Sequence, residues 1–443
     1  MNGHRRTVLG LALLGAIEPL LAAVPMSGAP QRGTEALERE LAAIVADPAC
    51  ELASLSVLAI RDGQIAYEGQ FGRRRIGNGI TPDLPANRDT LYRIASISKL
   101  MTTLGLMRLV EDKGINLDAD VSHYLGFSLR NPHFPERAIT LRHLLTHTSS
   151  LRDEAGYSFP AGTALRDFVT PGAALYGQGA MWASKAGPGE YFTYCNLGWG
   201  LIGTLMERVT GERFDGLMQR LLLQPLGLTA GYNPAALPPT ALANLATLYR
   251  KRTTDTEIWD PNGPWIAQTD DYVIRPPAPP PGIERYVIGE NATPFSPTGG
   301  LRIAARDMGV VMRMLMDGGV HEATRILQPA TLKNMFARQW TADGTGKNGD
   351  TLNGFFNCWG LGNAQFPDQP ARRLVEGFDA VGHLGDAYGL RSVFAFDAAR
   401  RNGVIVLVGG TSSDPGLQKG TYSALARFEE RILTSLYRHA IAG

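Results

Sequence analysis

The sequence predicts an α/β fold of the α+β type, an antiparallel sheet flanked by helices together with a mainly helical domain. Three observations carry that prediction. A hairpin pattern lies near each end of the chain, an amphipathic helix lies outside each hairpin, and the stretch between them repeats apolar residues at three- and four-residue intervals. Hairpins at opposite ends imply one sheet built from both, with the helical region inserted between them.

At the start, "MNGHRRTVLGLALLGAIEPLLAAVPMSGAP" places Arg5 and Arg6 before an apolar run, Val8 to Ile17, that is too short to span a bilayer. This reads as a signal peptide over 1–23, cleaved after Ala23, and implies an exported product, periplasmic or secreted, from a bacterium. Arg5–Arg6 followed by Thr7, Val8 and Leu9 resembles a twin-arginine signal; an ordinary secretory signal is the alternative. The absence of a cysteine near the cleavage region argues against a lipid anchor, so no stable membrane anchor is expected.

Next, "TEALERELAAIVA" sets Leu37, Leu41, Ile44 and Val45 at helical spacing, and "LSVLAIRDGQIAYEGQFG" reads as two strands joined by a turn at Asp62–Gly63. The middle segments "KLMTTLGLMRLVEDKG", "LRHLLTHTSSL", "NLGWGLIGTLMERVTG", "FDGLMQRLLLQPLG" and "ARDMGVVMRMLMDGG" read as helices. From about Trp259 to Pro294, a stretch that includes "RPPAPPPG", the proline content predicts an extended surface loop. Finally, "LRSVFAFDAARRNGVIVLVGG" repeats the hairpin with its turn at Asn402–Gly403, and "YSALARFEERILTSLYRHA" closes as an amphipathic helix.

The chain has 443 residues, 43 basic against 42 acidic, with no run of like charge. That balance argues against nucleic acid or an anionic membrane surface and leaves a small-molecule or peptide substrate as partner. Cys50, Cys195 and Cys358 are too few for a disulfide framework and lack metal-like spacing; whether one pair bridges stays open.

The chemistry centres on "YRIASISKLMTT", where Ser96 precedes Lys99 by three residues at the start of a helix. Serine attacks carbonyls only when a neighbour takes its proton, and a lysine one helical turn away lies on the same face. For Lys99 to serve near neutral pH its pKa must fall by roughly three units, at a cost of about 4 kcal/mol, which demands burial or nearby positive charge. Leu100, Met101 and Leu104 offer apolar surroundings. Taken alone, S-x-x-K is a weak signal, since it arises by chance and often marks a helix N-cap.

Context strengthens it. "LYRIASISKLMTTLGLMRLVEDKGINLDADVSHYL", "ITLRHLLTHTSSL", "KAGPGEYFTYCNLGWGLIGTLMERVTG", "SPTGGLRIAARDMGVVMRML" and "VGHLGDAYGL" follow one another in the order seen in the serine beta-lactamase-related family. The resemblance runs from about Leu55 to Gly410 and takes in class C beta-lactamases, D-alanyl-D-alanine carboxypeptidases, D-aminopeptidases and carboxylesterases. It implies a beta-lactamase/transpeptidase-like fold over 30–443, with a discontinuous α/β domain at about 34–90 and 375–443 and a helical domain at about 91–374.

It also implies roles. Ser96 would form an acyl-enzyme with Lys99 as proton partner. Tyr194 of the Y-x-N motif would share acid/base work, its phenolate favoured by the lysine's charge, and Asn196 would position the lysine and a substrate carbonyl. His383–Leu384–Gly385 occupies the place of the usual K-T-G or H-T-G strand, with His383 and Gly385 orienting substrate. The backbone N–H groups of Ser96 and Asp386 would form the oxyanion hole. No metal or organic cofactor is needed. On sequence alone, Asn196 also suits a helix cap, and His383 a packed histidine.

Leu384 departs from the pattern, because penicillin-recognising members commonly carry Thr or Ser there to bind a carboxylate. An apolar residue forfeits that contact, and Asp386 beside it would repel a carboxylate. The expectation is therefore an exported ester or amide hydrolase, or a peptidase on D-residues. A beta-lactamase or D-alanyl-D-alanine carboxypeptidase is the alternative, and a non-catalytic peptidoglycan- or partner-binding member of the fold is the rival from another class.

Other candidates read as structural. His143 and His147 lack an acidic third ligand, Gly299–Gly300 lacks a following G-K-[ST] and reads as a tight turn beside the site, and Cys195 lacks an aligned His base. The G-x-S-x-G elbow of another serine hydrolase fold is absent.

Overall fold

A computed structural model describes residues 32–443 apart from positions 78, 80, 254, 255, 257, 273 and 274. The proposed leader lies outside the described residues. A nine-stranded antiparallel sheet dominates. Its strands are β1 (Ser54–Arg61), β2 (Gln64–Arg75), β3 (Leu84–Pro85), β4 (Trp340–Thr341), β5 (Cys358–Trp359), β6 (Ala364–Phe366), β7 (Ala380–Ala387), β8 (Leu390–Asp397) and β9 (Asn402–Val408). They lie in the order β4-β5-β6-β7-β8-β9-β1-β2-β3, so β1 and β9, from opposite ends of the chain, pair at the centre from Leu55↔Val408 to Ile60↔Gly403.

Alternation along these strands sorts the core. In β1, Leu55, Val57 and Ala59 face one apolar cluster and Leu58 and Ile60 face the other. In β9, Val404, Val406 and Val408 join the first, Ile405 and Leu407 the second. The first is covered by helices α1 (Arg32–Val45) and α5 (Arg427–Leu436), through Leu37, Leu41, Ile432 and Leu433. The second is continuous with the helical region, including α2 (Ile97–Lys113), α3 (Leu197–Thr210) and α4 (Ala305–Met316). Burial on both faces explains why β1 reads as a near-continuous apolar run. Among the described residues, no helix is long and apolar enough to cross a membrane.

Three expectations need correction. Strands β4, β5 and β6 come from within the stretch assigned to the helical domain. They are two or three residues long, too short for a period-two pattern to show. The second turn is at 398–401, with Arg401 at φ 55°, while Asn402–Gly403 opens β9 against Asp397 and Phe396. Asn402 Oδ1 instead accepts from the Asp62 amide at 3.0 Å in the first turn, and a Cβ on Gly403 would stand 2.2 Å from Met312 Sδ of α4. The first turn is as expected, with Asp62 and Gly63 at φ 51° and 78°, the pattern of a type I′ turn. Within the proline-rich stretch, Ile266–Thr269 forms a strand against Leu248–Arg250.

Candidate active site

Ser96 stands where a short strand, Leu91–Arg93, gives way to α2. That strand pairs with Arg302–Ala304, and the Ile94 amide donates to Leu301 O at 2.9 Å. Ala95 then turns the chain at φ 48°, left-handed backbone that costs a non-glycine residue about 1–3 kcal/mol. Ser96 is the first residue after it and precedes the helix at φ −65°, ψ −12°. Its side chain makes no capping bond, so the N-cap reading does not describe it. Its Oγ instead accepts from Lys99 Nζ at 3.0 Å.

Lys99 is completely buried. Besides Ser96, its Nζ reaches Asn196 Oδ1 at 2.7 Å and the Thr298 carbonyl at 3.2 Å. Burial brings its pKa down to about 7, against the opposing pull of the Asp153 carboxylate. This is the shift its proposed role requires.

Tyr194 packs over the lysine, its ring centre 4.7 Å from Nζ, stacked on Phe356 and against His147. Its hydroxyl is sealed from solvent and lies toward Ser96 without a closed hydrogen bond. Burial pushes the phenol well above its ordinary pKa, aided by Asp153. Burial thus works against the expected phenolate.

Asp153, which sequence reasoning passed over, organises the other side. Its carboxylate accepts from the amides of Asn196 and Leu197 and from Asn196 Nδ2 at 2.8 Å. It thereby occupies the start of α3, so Asn196 does not cap that helix with its own side chain. Asn196 Oδ1 is left to accept from Lys99 and from Thr298 Oγ1, the latter at 2.7 Å. Thr298 is also new; it sits in the tight turn expected beside the site, where the Gly300 amide donates back to Ser296 O at 2.7 Å.

Strand β7 passes against Ile94 and Ala95, the residues just before Ser96. A Cβ on Gly385 would stand 2.6 Å from Ile94 O and 2.3 Å from Ser392 Oγ, so only glycine lets the strand approach. Leu384, Gly385 and Asp386 line the cleft, but His383 does not. The His383 ring is fully buried between Trp359 and Tyr194, and its Nδ1 donates to Leu384 O at 2.5 Å. Burial, then the charge of Lys99, lowers its pKa to about 3. The expectation that it orients substrate directly is corrected: the rings of Tyr194, Phe356 and Trp359 enclose its side chain. The carboxylate of Asp386 pairs with Arg391, which also binds Glu429 at 3.2 Å. Its expected effect on a substrate carboxylate is thereby offset.

His143 and His147 do not share a helical face, because the helix Leu141–Leu145 ends between them and His147 sits at φ 57°. His147 Nδ1 accepts from the Cys195 amide at 3.0 Å. All three cysteines are free and buried, and burial raises the Cys195 thiol well above its usual pKa.

Two cavities meet at Ser96, one of about 520 Å³ and one of about 310 Å³, with Tyr194 and Asp386 also lining both. Asn196, Thr298, Tyr157 and Tyr388 line the larger; Leu384, Phe355, Phe356 and Leu425 line the smaller. A carbonyl placed at Ser96 would thus have room on either side of its scissile bond.

Residues 35–427 match the model of the Beta-lactamase family, and the chain belongs to that family. It is 32% identical over 173 residues to the D-alanyl-D-alanine-carboxypeptidase/endopeptidase AmpH of Escherichia coli K12, covering 39% of this chain and 43% of that one. It is 31% identical over 185 residues to esterase EstB of Burkholderia gladioli, covering 39% and 44%. In both cases the match spans less than half of the relative's length. The structure resembles a class C beta lactamase from Rhodobacter sphaeroides with a TM-score of 0.63 at 17% identity, over 91% of this chain and 99% of the other.

Proposed function

We propose that this protein is an exported serine hydrolase that cleaves an ester or amide bond through an acyl-enzyme on Ser96. The observation that carries the reading is Lys99 Nζ, 3.0 Å from Ser96 Oγ, on a lysine that burial brings to a pKa of about 7. Lys99 in its neutral form takes the Ser96 proton as Oγ attacks the carbonyl carbon. The Ser96 and Asp386 N–H groups hold the developing oxyanion, a contact of the kind whose loss typically costs about a hundredfold or more in rate. Tyr194, resting as the phenol, gives its proton to the leaving group and is resupplied from Lys99. Water then attacks the acyl-enzyme and passes its proton back through Tyr194 to Lys99, and Oγ leaves reprotonated. Asn196 and Thr298 hold the lysine in line.

Leu384 and the apolar walls of the smaller cavity favour an esterase, amidase or D-residue peptidase over an efficient beta-lactamase. Export rests on the leader, with its charged start and apolar run. The test is the intact mass of the mature protein after a fluorophosphonate and, separately, a penicillin. We expect a fluorophosphonate adduct that disappears in Ser96→Ala. A penicillin adduct would shift the reading toward cell-wall peptides, and no adduct with either reagent would favour a binding protein.

A further inference from the structure

Arg93 stands three residues before Ser96, at the end of the strand Leu91–Arg93, and lines the larger cavity. Its Nε donates to the Gly299 carbonyl at 3.0 Å, and its guanidinium lies 4.6 Å from the centre of the Tyr388 ring. These contacts hold the fork in place. Among the described residues, its two terminal nitrogens have no hydrogen-bond or ion-pair partner.

The neighbouring acid is already committed. Asp270 accepts from Arg302 through both oxygens, at 2.8 and 3.1 Å, in a buried pair. Two guanidinium groups and one carboxylate leave this wall with a single excess positive charge. Asp386, the acid lining the same cavity, is paired with Arg391, which lines the smaller one. The remaining polar groups around Arg93 include the hydroxyls of Tyr157, Ser158, Ser296 and Thr298. An arginine anchored at Nε and flanked by an aromatic ring, with its fork unfilled, matches the planar two-oxygen face of a carboxylate.

We propose that the substrate carries a carboxylate that pairs with Arg93 in the larger cavity, so that the enzyme acts on acidic esters or amides. This rests on the hydrolase reading and gives it a substrate class. The site supplies from Arg93 the anion contact that Leu384 withholds. Arg93 and Ser96 line the same cavity, so a substrate lying in it can bring its carboxylate to one and its scissile carbonyl to the other.

The test uses two ester pairs, each corrected for spontaneous hydrolysis. Phenyl acetate is compared with 3-acetoxybenzoate, and 4-nitrophenyl hexanoate with 4-nitrophenyl hydrogen adipate, which puts the anion on the leaving-group side or the acyl side. In the wild type, kcat/KM for the anionic member should exceed that for its neutral partner by about tenfold to a hundredfold in at least one pair, as a charged hydrogen bond supplies. Arg93→Gln should bring that ratio to about one, and Arg93→Lys should keep part of it. Because both substrates meet the same protein, any shift of the Gly299 turn cancels from the ratio. Turnover without preference, or a preference that survives Arg93→Gln, overturns this proposal and leaves the hydrolase intact. Absence of turnover together with absence of a fluorophosphonate adduct removes the hydrolase reading, and this one with it.

Discussion

Lys99 makes its own prediction. A lysine must be neutral to take a proton, and its pKa in the folded protein is lowered to about 7, so activity should rise with pH through that value. The pH profile of kcat/KM should show an acidic limb with a midpoint near 7, and Lys99→Met should lower the rate by a factor of about a hundred or more. A profile flat from pH 5 to 9 would deny the lysine that role. Asp153 predicts a loss of stability. Removing a carboxylate that serves two backbone amides at a helix start and a side-chain amide should cost about 1–3 kcal/mol, read by urea denaturation of Asp153→Ala. Ser96 and Lys99 were legible because three residues on a helix put them together. Asp153 and Thr298 were not, because they meet Asn196 across 43 and 102 residues, a distance no local spacing encodes.

Strand β7 is the element on which the cleft depends. Gly385→Ala should drive a methyl group into the Ile94 carbonyl, a backbone atom that cannot rotate away. Overpacking of this kind costs about 1–3 kcal/mol. Because Ile94 leads directly to Ser96, the variant should lose activity by more than tenfold while its far-ultraviolet circular dichroism stays that of the wild type. His383, on the same strand, predicts an acid dependence. Its pKa is lowered from 6.5 to about 3, so the folded form binds fewer protons than the unfolded one between those values. Stability is lost as pH falls through that window, at up to about 1.4 kcal/mol per unit, and denaturation of His383→Asn should show a shallower loss between pH 6.5 and 5. The order of motifs placed β7 beside the serine, but it could not say that the His383 ring would be enclosed by Tyr194, Phe356 and Trp359. That depends on side chains brought in from distant segments of the chain, which no local pattern displays.

At the scale of the molecule, the hairpins and terminal helices carried the sheet, since each showed its period over several residues. The short strands β4 to β6 did not, and neither did the path of the segment around Thr293, whose residues join the cleft wall. The apolar cluster on the helical side also contains Leu58, Ile60, Phe394, Phe396, Ile405 and Leu407 from the sheet, so the two regions share one core. We therefore expect urea unfolding followed by tryptophan fluorescence and by circular dichroism to give coincident transitions, and two separated transitions would contradict that continuity.

The pairing of β1 with β9 also sets a clock on biosynthesis. Strand β1 is buried on both faces once paired, yet it leaves the ribosome nearly 350 residues ahead of its central neighbour. At the usual pace of translation that is a wait of roughly twenty seconds to a minute in which β1 has β2 on one side and its other edge open. A newly made chain therefore carries that open edge until its last strands arrive.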